Sequence, residues 1–241
     1  MKKKPISVGI VILAYNEEKN IKYAIEAALR EVPKVTPNYE IVIVNDGSRD
    51  KTGQLADGYT KKFRQIKVIH HSMNRGFART FLDGVSEINK EFVVSYPGDY
   101  DTSEKSLAQI ITRAKKDTIV ISYPDNPETR PLARRIISSA VVKALNLIFG
   151  MKLRYYTGSF ICETEKLKNI NFISRGFAVY AEAKIRLIRQ GLAVEEMPFL
   201  HIGRRYGKTS AISLKSLLET LETVCKLRWE MYNNSLAKAK E

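Results

Sequence analysis

The chain has 241 residues, 44% of them hydrophobic and 27% charged, an ordinary globular composition that excludes a disordered polypeptide and suffices for a large buried core. Its 40 Lys and Arg against 26 Asp and Glu leave a formal charge of +14, which favours phosphate-rich partners (nucleotides, nucleic acid or an anionic membrane surface) without choosing among them. Cys162 and Cys225 match no metal spacing and read as reduced thiols of a cytoplasmic protein, and no stretch reaches the ~20 apolar residues of a spanning helix.

Met1-Lys2-Lys3-Lys4 ahead of the apolar run 6–13 imitates a secretion signal. The run is short, however, lacks a small-residue cleavage site and passes straight into Tyr15-Asn16-Glu17-Glu18, so it reads as a first buried strand. Ile21, Ala24, Ile25, Ala28, Leu29 and Val32 then recur at helical spacing, with Asn16 as the cap. Residues 40–44 read as a second strand, 52–63 as a helix, 67–69 as a third strand, 77–88 as a helix and 92–95 as a fourth strand. This alternation predicts an α/β fold with a mostly parallel central sheet and helices on both faces.

Ligands of such sheets bind beyond the carboxyl ends of the strands, and four polar loops fall there. They are Tyr15-Asn16-Glu17, Asn45-Asp46-Gly47-Ser48, Asn74-Arg75-Gly76 and Asp99-Tyr100-Asp101. Any one of them also reads as a turn or a helix cap. Two carboxylates one residue apart suit a hard divalent cation that keeps positions open for phosphate oxygens. No glycine-rich phosphate cradle of the dinucleotide or P-loop kind is present, which leaves the carboxylate pair as the phosphate holder.

Further along, residues 136–149 form an apolar helical segment interrupted by Ser138, Ser139, Lys143 and Asn146, and 178–192 an amphipathic helix. Arg204-Arg205-Tyr206-Gly207-Lys208-Thr209-Ser210 mixes cations, hydroxyls and glycine; it suits a loop that closes over a diphosphate, or a basic surface loop. His201 beside it receives no role. Leu214, Leu217, Leu218, Leu221, Val224, Cys225 and Trp229 make one stripe, with Ser216 and Glu219 spaced as a capping box. The stripe predicts a helix packed on the domain; the alternative is an interfacial helix whose Lys215, Lys226, Arg228 and Trp229 meet anionic lipid, with Arg134, Arg135 and Lys143 doing the same around 136–149.

Val11-Ile12-Leu13-Ala14-Tyr15-Asn16-Glu17-Glu18, Ile41-Val42-Ile43-Val44-Asn45-Asp46-Gly47-Ser48 with Asp50 and Thr52, Asn74-Arg75-Gly76 and Asp99-Tyr100-Asp101 together resemble the inverting family-2 glycosyltransferases, which have the GT-A fold. The second half is most similar to the polyprenyl-phosphate sugar transferases. It carries Arg134 opening an apolar helix, Thr157-Gly158-Ser159-Phe160, Glu182 ahead of Gly191, and Glu196-Met197-Pro198 before the Arg204 run. The resemblance implies a catalytic domain over 1–212, with a donor half of about 1–101 and an acceptor half of about 102–212, followed by an amphipathic helix and tail at 213–241.

It further implies that Leu13, Tyr15 and Glu17 contact the base or ribose of a nucleotide-sugar donor, with Asp46 beside them. Asp99 and Asp101 would hold Mg²⁺ or Mn²⁺ against the diphosphate, with the Tyr100 backbone nearby, and Arg134 and Arg204 would bind phosphate. The implied reaction is metal-dependent transfer to a dolichyl or undecaprenyl phosphate by a protein that is cytoplasmic, or peripheral on the cytoplasmic face of a membrane, with Asp101 and Arg204 stabilising the departing diphosphate. A hydroxyl acceptor on a glycan is the alternative; it needs a base, for which Glu182 is the candidate, although a Glu on that helix also reads as a paired structural residue. Family members often have Asp where Arg154 stands, Gln at Ser103 and Lys at Ser210, so the acceptor segment departs most. A nucleic-acid binder is disfavoured because the cations are spread along helices and no RNA-binding sheet motif is present. A catalytically silent relative is disfavoured by the retained Asp99 and Asp101.

Overall fold

A computed structural model describes residues 6–207 and 214–238. The first half alternates β1 (Val8–Ala14), α1 (Ile21–Glu31), β2 (Tyr39–Asn45), α2 (Thr52–Thr60), β3 (Ile66–His70), α3 (Phe77–Ser86) and β4 (Phe92–Pro97). The second half continues with α4 (Glu104–Thr112), β5 (Thr118–Pro124), α5 (Leu132–Phe149), β6 (Phe160–Glu163), α6 (Thr164–Lys168), α7 (Val179–Arg189), β7 (Ala193–Phe199) and α8 (Leu214–Lys238). All seven strands form one sheet in the order β3-β2-β1-β4-β6-β5-β7. Neighbours are parallel except β6, which runs antiparallel to both β4 and β5.

Strand alternation divides the core between the two faces of the sheet. Val11, Val42 and Val44 point to the face covered by α3 and α7, where they meet Phe81, Val85, Val179 and Leu187. Ile10, Ile12, Ile41 and Ile43 point to the other face, against Ile21, Ile25, Leu107 and Ile111 of α1 and α4. These four strand isoleucines are fully buried, and each such side chain stabilises the fold by about 1.5–3 kcal/mol. Apolar residues at consecutive positions of β1 and β2 are what a strand covered on both faces requires.

Three local expectations are corrected. Asn16 does not cap α1, which begins after Asn20; Asn16 takes a left-handed conformation (φ 55°) and its side chain accepts from Arg49 N at 2.9 Å. Strands β5, β6 and β7 add three of the sheet's seven strands where the sequence reading placed none, although Thr118-Ile119-Val120-Ile121 is a β-branched run. The third concerns α8, whose inward face is Thr223 and Leu227, with Val224 and Met231 partly buried, while Leu218, Leu221, Cys225 and Trp229 of the predicted stripe face outward. The helix also starts at Leu214, so Ser216 is internal and no cap. The side chains of Leu214, Lys215 and Leu217, like Lys208, Thr209 and Ser210, lie outside the described residues.

The rotation of α8 has a polar cause. Arg186 of α7 donates from Nη1 and Nη2 to the two oxygens of Glu230 at 2.9 and 2.7 Å, a bidentate pair that turns the Thr223–Leu227–Glu230 side of α8 inward. The Nε of the same guanidinium donates to Glu182 at 2.8 Å. Glu182 has no exposed side-chain surface and also accepts from Ile173 N and Ser174 N at 3.0 and 2.9 Å, and from the Ser174 hydroxyl. Glu182→Ala would leave the Arg186 Nε–H and two buried backbone N–H groups without their acceptor while Glu230 keeps the rest of the guanidinium, and is expected to lower unfolding free energy by about 2–4 kcal/mol in urea titrations.

Candidate active site

Gly47, at φ 66°, lies so close to the next loop that a Cβ there would come within 2.4 Å of the Met73 carbonyl carbon, so the turn after β2 accommodates no side chain at this point. Its neighbours clip the loop after β1: Ser48 Oγ accepts from Asn16 N at 2.9 Å, Thr52 Oγ1 from Glu17 N at 2.7 Å and Asp50 from Glu18 N at 3.1 Å. Asp46, 4% exposed, accepts from Arg75 N and Gly76 N at 2.8 and 3.1 Å and contacts His71 Nδ1 at 2.7 Å. One carboxylate therefore fixes the loop that opens α3, and hydrogen bonds join the three loops into one unit.

The carboxylate pair follows β4. Tyr100 adopts a left-handed φ of 54°, and its ring turns away to pack 5.9 Å from Tyr23, while Asp99 and Asp101 line the cleft on either side of it. Arg204 crosses from beyond β7, pairing with Glu17 and placing Nε 3.4 Å from Asp99 Oδ2. Its neighbours hold it there: Arg205 stacks 4.6 Å from the Tyr23 ring, and Tyr206 O accepts from Asn20 at 3.1 Å.

The cleft has a volume of about 800 Å³ and brings Leu13, Tyr15, Glu17, Asp46, Asp99, Asp101, Arg134 and Arg204 together on its wall. Two residues named from the sequence are absent from that wall. The Tyr100 side chain points out of it, and Glu182 is buried beneath α8 with its oxygens occupied, so it is placed as a structural anchor rather than a base. Of the three departures from the family pattern, Arg154 stacks 4.6 Å from Tyr123 and donates its backbone N–H to Glu196 at 2.7 Å, and Ser103 immediately precedes α4; Ser210 is outside the described residues.

Two residues that the sequence reading missed also belong here. His201 is carried to the carboxylates because residues 200–202 run alongside 101–103, with Ile202 N donating to Asp101 O at 2.9 Å and Ser103 N to Leu200 O at 3.0 Å. Its Nε2 lies 3.6 Å from Asp101 Oδ2. Arg130, 8% exposed, donates to the Tyr155 hydroxyl at 2.9 Å and lines the same cleft. Neither carries a local sequence signal, since each arrives by a long-range pairing.

The site fits a divalent cation on the chemistry of its donors. Asp99 Oδ1 is buried without a hydrogen-bond partner, and Asp99 and Asp101 are hard oxygen ligands forced close together. Among the described residues no group of three or more His, Cys, Asp and Glu side chains is arranged as a cation site, so phosphate oxygens would complete the coordination of an ion held by this pair.

Structures of glucosyl-3-phosphoglycerate synthase from Mycobacterium tuberculosis share this architecture and define it as the GT-A fold of sugar transferases. The complex with phosphoglyceric acid gives a TM-score of 0.71 over 92% of this chain and 79% of that one at 16% identity. The complex with Mn²⁺, UDP-glucose and phosphoglyceric acid gives 0.67 over 91% and 80%, also at 16% identity. The sequence model of glycosyl transferase family 2 matches residues 9–186, and the chain belongs to that family.

Among curated relatives, a dolichyl-phosphate beta-glucosyltransferase of Trichomonas vaginalis is 25% identical over 158 residues, covering 61% of this chain and 49% of that one. An undecaprenyl-phosphate 4-deoxy-4-formamido-L-arabinose transferase of Photorhabdus laumondii is 24% identical, covering 62% and 48%. The chain thus spans about half the length of these relatives, but 96% of an uncharacterized protein of Methanocaldococcus jannaschii, to which it is 24% identical.

Burial and the neighbouring Asp101 push the Asp99 carboxyl up to about 7, with Arg204 opposing and Glu17 adding to the rise. A carboxyl raised on folding from about 3.9 stabilises the fold below that pH and loses the contribution as pH climbs through 7. Thermal midpoints of the metal-free protein are therefore expected to fall between pH 5 and 8, less steeply in Asp99→Asn. MnCl₂ should raise the midpoint more at pH 8 than at pH 5, which scanning calorimetry across a pH series checks.

Proposed function

We propose that this chain transfers a sugar, with inversion, from a nucleotide-diphosphate donor to a polyprenyl phosphate at a membrane surface. The observation that carries the reading is the charge layout of the cleft. Glu17, Asp99 and Asp101 with Arg204 lie on the donor side, and Arg130, Arg134 and Arg175 line the part nearer β5, α5 and α7. An acceptor whose attacking oxygen is already anionic suits an arginine-lined wall and needs no protein base.

In this reading the phosphate oxygen forms a bond to the anomeric carbon as the bond from that carbon to the nucleotide diphosphate breaks on the opposite face. The electron pair leaves with the diphosphate, and no proton moves. Asp99 and Asp101 would hold Mg²⁺ or Mn²⁺, which when bound supplies charge neutralisation for the departing diphosphate. Arg204 would turn from Glu17 and Asp99 to that diphosphate, adding charge-assisted hydrogen bonds as negative charge develops. Leu13, Tyr15 and Glu17, on the loop clipped by Ser48 and Thr52, would orient the nucleoside, with Asp46 beside them holding the Arg75-Gly76 backbone.

Membrane contact is supported by where apolar surface lies. On α5, Leu132, Ile136 and Leu147 are 65%, 60% and 85% exposed; on α8, which packs against α5, Leu218, Leu221 and Trp229 are 57%, 53% and 67% exposed. Exposed Arg135, Lys143, Lys226 and Arg228 lie on the same two helices. Apolar side chains among cations suit the headgroup region of an anionic bilayer on its cytoplasmic face. No described helix is long and apolar enough to cross a membrane. Ile136→Glu combined with Trp229→Glu is expected to abolish co-sedimentation with anionic liposomes bearing polyprenyl phosphate while leaving the thermal midpoint within about 3 °C, as for surface substitutions.

A second reading, transfer to a glycan hydroxyl, is favoured by Glu219, which lines the cleft from α8 next to Gly176 and would serve as base in place of Glu182. Incubation with radiolabelled uridine, guanosine and thymidine diphosphate sugars, Mn²⁺ and undecaprenyl phosphate separates the two. The proposal expects label in the organic phase, and loss of at least about 100-fold in Asp101→Ala as transition-state charge stabilisation fails. Label confined to a water-soluble product, and lost in Glu219→Gln, supports the hydroxyl acceptor; turnover of Asp101→Ala at the wild-type rate overturns the site.

A further inference from the structure

Lys184 of α7 has no exposed surface and does not line the cleft, yet it is a lysine in the middle of the domain. Its Nζ donates to Tyr156 O and to Gly158 O, both at 2.7 Å, and lies 5.6 Å from the Phe160 ring. Burial drives its amine well below the ordinary lysine value, with Glu196 opposing. Two backbone carbonyls receive its N–H groups, which fixes the direction in which the amine points. A buried polar group this costly to desolvate is retained where its hydrogen bonds fix something specific.

What they fix is a turn. Ser122 secures the other end, donating from N and from Oγ to Ser159 O at 3.0 and 2.7 Å. Gly158 packs so tightly that a Cβ would lie 2.3 Å from Ser122 O. The carbonyls of Tyr156 and Gly158 are thus drawn to one side. Because the peptides of this turn are trans, the N–H groups of Thr157 and Ser159 turn to the opposite side. Thr157, Gly158 and Ser159 are cleft wall.

Arg130 completes the pattern. It is more than nine-tenths buried, its guanidinium lies 5.5 Å from the Tyr155 ring, and its Nε is buried with no hydrogen-bond partner. Tyr155 in turn touches Gly158, since the Cβ that this glycine lacks would meet the Tyr155 ring at 2.9 Å. Arg130 and Arg134 also act electrostatically on His201, the neighbour of Asp101, so this wall adjoins the donor end. A preorganised guanidinium on the cleft wall, two N–H groups turned from the same lysine and the Thr157 and Ser159 hydroxyls match the oxygens of a phosphomonoester, which offers several acceptors and no carbon-specific demand.

We propose that Arg130 and the 156–159 turn form a preformed phosphomonoester subsite, and that Lys184 is the positioning residue that holds the turn in its binding shape. The subsite takes its meaning as the acceptor site from the sugar-transfer reading, but the binding chemistry stands apart from it. The same headgroup could come from a prenyl lipid or from a soluble phosphorylated metabolite.

Titration calorimetry of the full chain without donor, using geranyl phosphate, glycerol 3-phosphate and geraniol, tests it. At least one phosphate is expected to bind and geraniol not to; binding of geranyl phosphate alone identifies a lipid source, and of glycerol 3-phosphate alone a soluble one. Arg130→Met should weaken phosphate binding by about tenfold or more, as loss of a charge-assisted contact does. Lys184→Met should weaken it by about three- to tenfold while UDP with Mn²⁺ binds within about twofold of wild type. If Lys184→Met does not fold, Ser122→Ala loosens the same turn and should show the same split between phosphate and UDP. Phosphate binding unchanged in Arg130→Met, equal loss of phosphate and UDP in the turn variants, or no phosphate binding at all overturns the subsite. Absence of sugar transfer with phosphate binding intact would instead count against the proposed reaction.

Discussion

The guanidinium of Arg204 stands where three carboxylates meet. Glu17 follows β1, and Asp99 and Asp101 follow β4; since those strands are adjacent and parallel, their ends deliver like charges to one place. Close carboxylates in a partly dehydrated cleft repel, and the Asp99 carboxyl is raised by its burial first and by the neighbouring Asp101 second. Arg204 arrives from the far side of the sheet, beyond β7, and offsets it. Strand order and the segment that carries Arg204 are therefore one problem, because moving either leaves negative charge unbalanced.

How much of this is readable from residues alone depends on how local the cause is. The strands and helices of the first half announce themselves by periodicity, and the loops that follow their strands fall where sheet polarity sends them. Asn16 looked like a cap because cap and left-handed turn use the same residue types; the deciding hydrogen bonds come from Ser48 and Arg49, more than 30 positions away. Glu182 had the right chemistry for a base, and burial took it out of contention. His201 and Arg130 carry no sequence signal of their own, since one reaches the cleft by an isolated bridge to Thr102 and the other by Tyr155.

The C-terminal helix illustrates how a polar contact overrides an apolar pattern. Leu218, Leu221, Cys225 and Trp229 make the more continuous stripe, yet the Arg186–Glu230 pair and its link to Glu182 turn the Thr223 and Leu227 side inward. A bidentate ion pair has directional demands that hydrophobic burial lacks, so it selects the rotation of the helix. What is left outside is a band of leucine and tryptophan that ordinary surface composition does not require.

Strand β6 is the sheet's one reversal, pairing Phe92 with Glu163 and Val94 with Ile161. A strand running with its neighbours would have sent Glu163 toward the cleft and Ser159 to the opposite edge. Reversed, it puts the segment leading into it, rather than the segment leaving it, among the loops of the parallel strands. The walls of the cleft are consequently of different descent along the chain: the loops after β1, β2 and β4 leave strands, and the 156–159 turn enters one. Insertions or deletions between α5 and β6 can therefore remodel the 156–159 wall of the cleft without altering the register of β1, β2 or β4, so the loops that follow those strands keep their places within one continuous sheet.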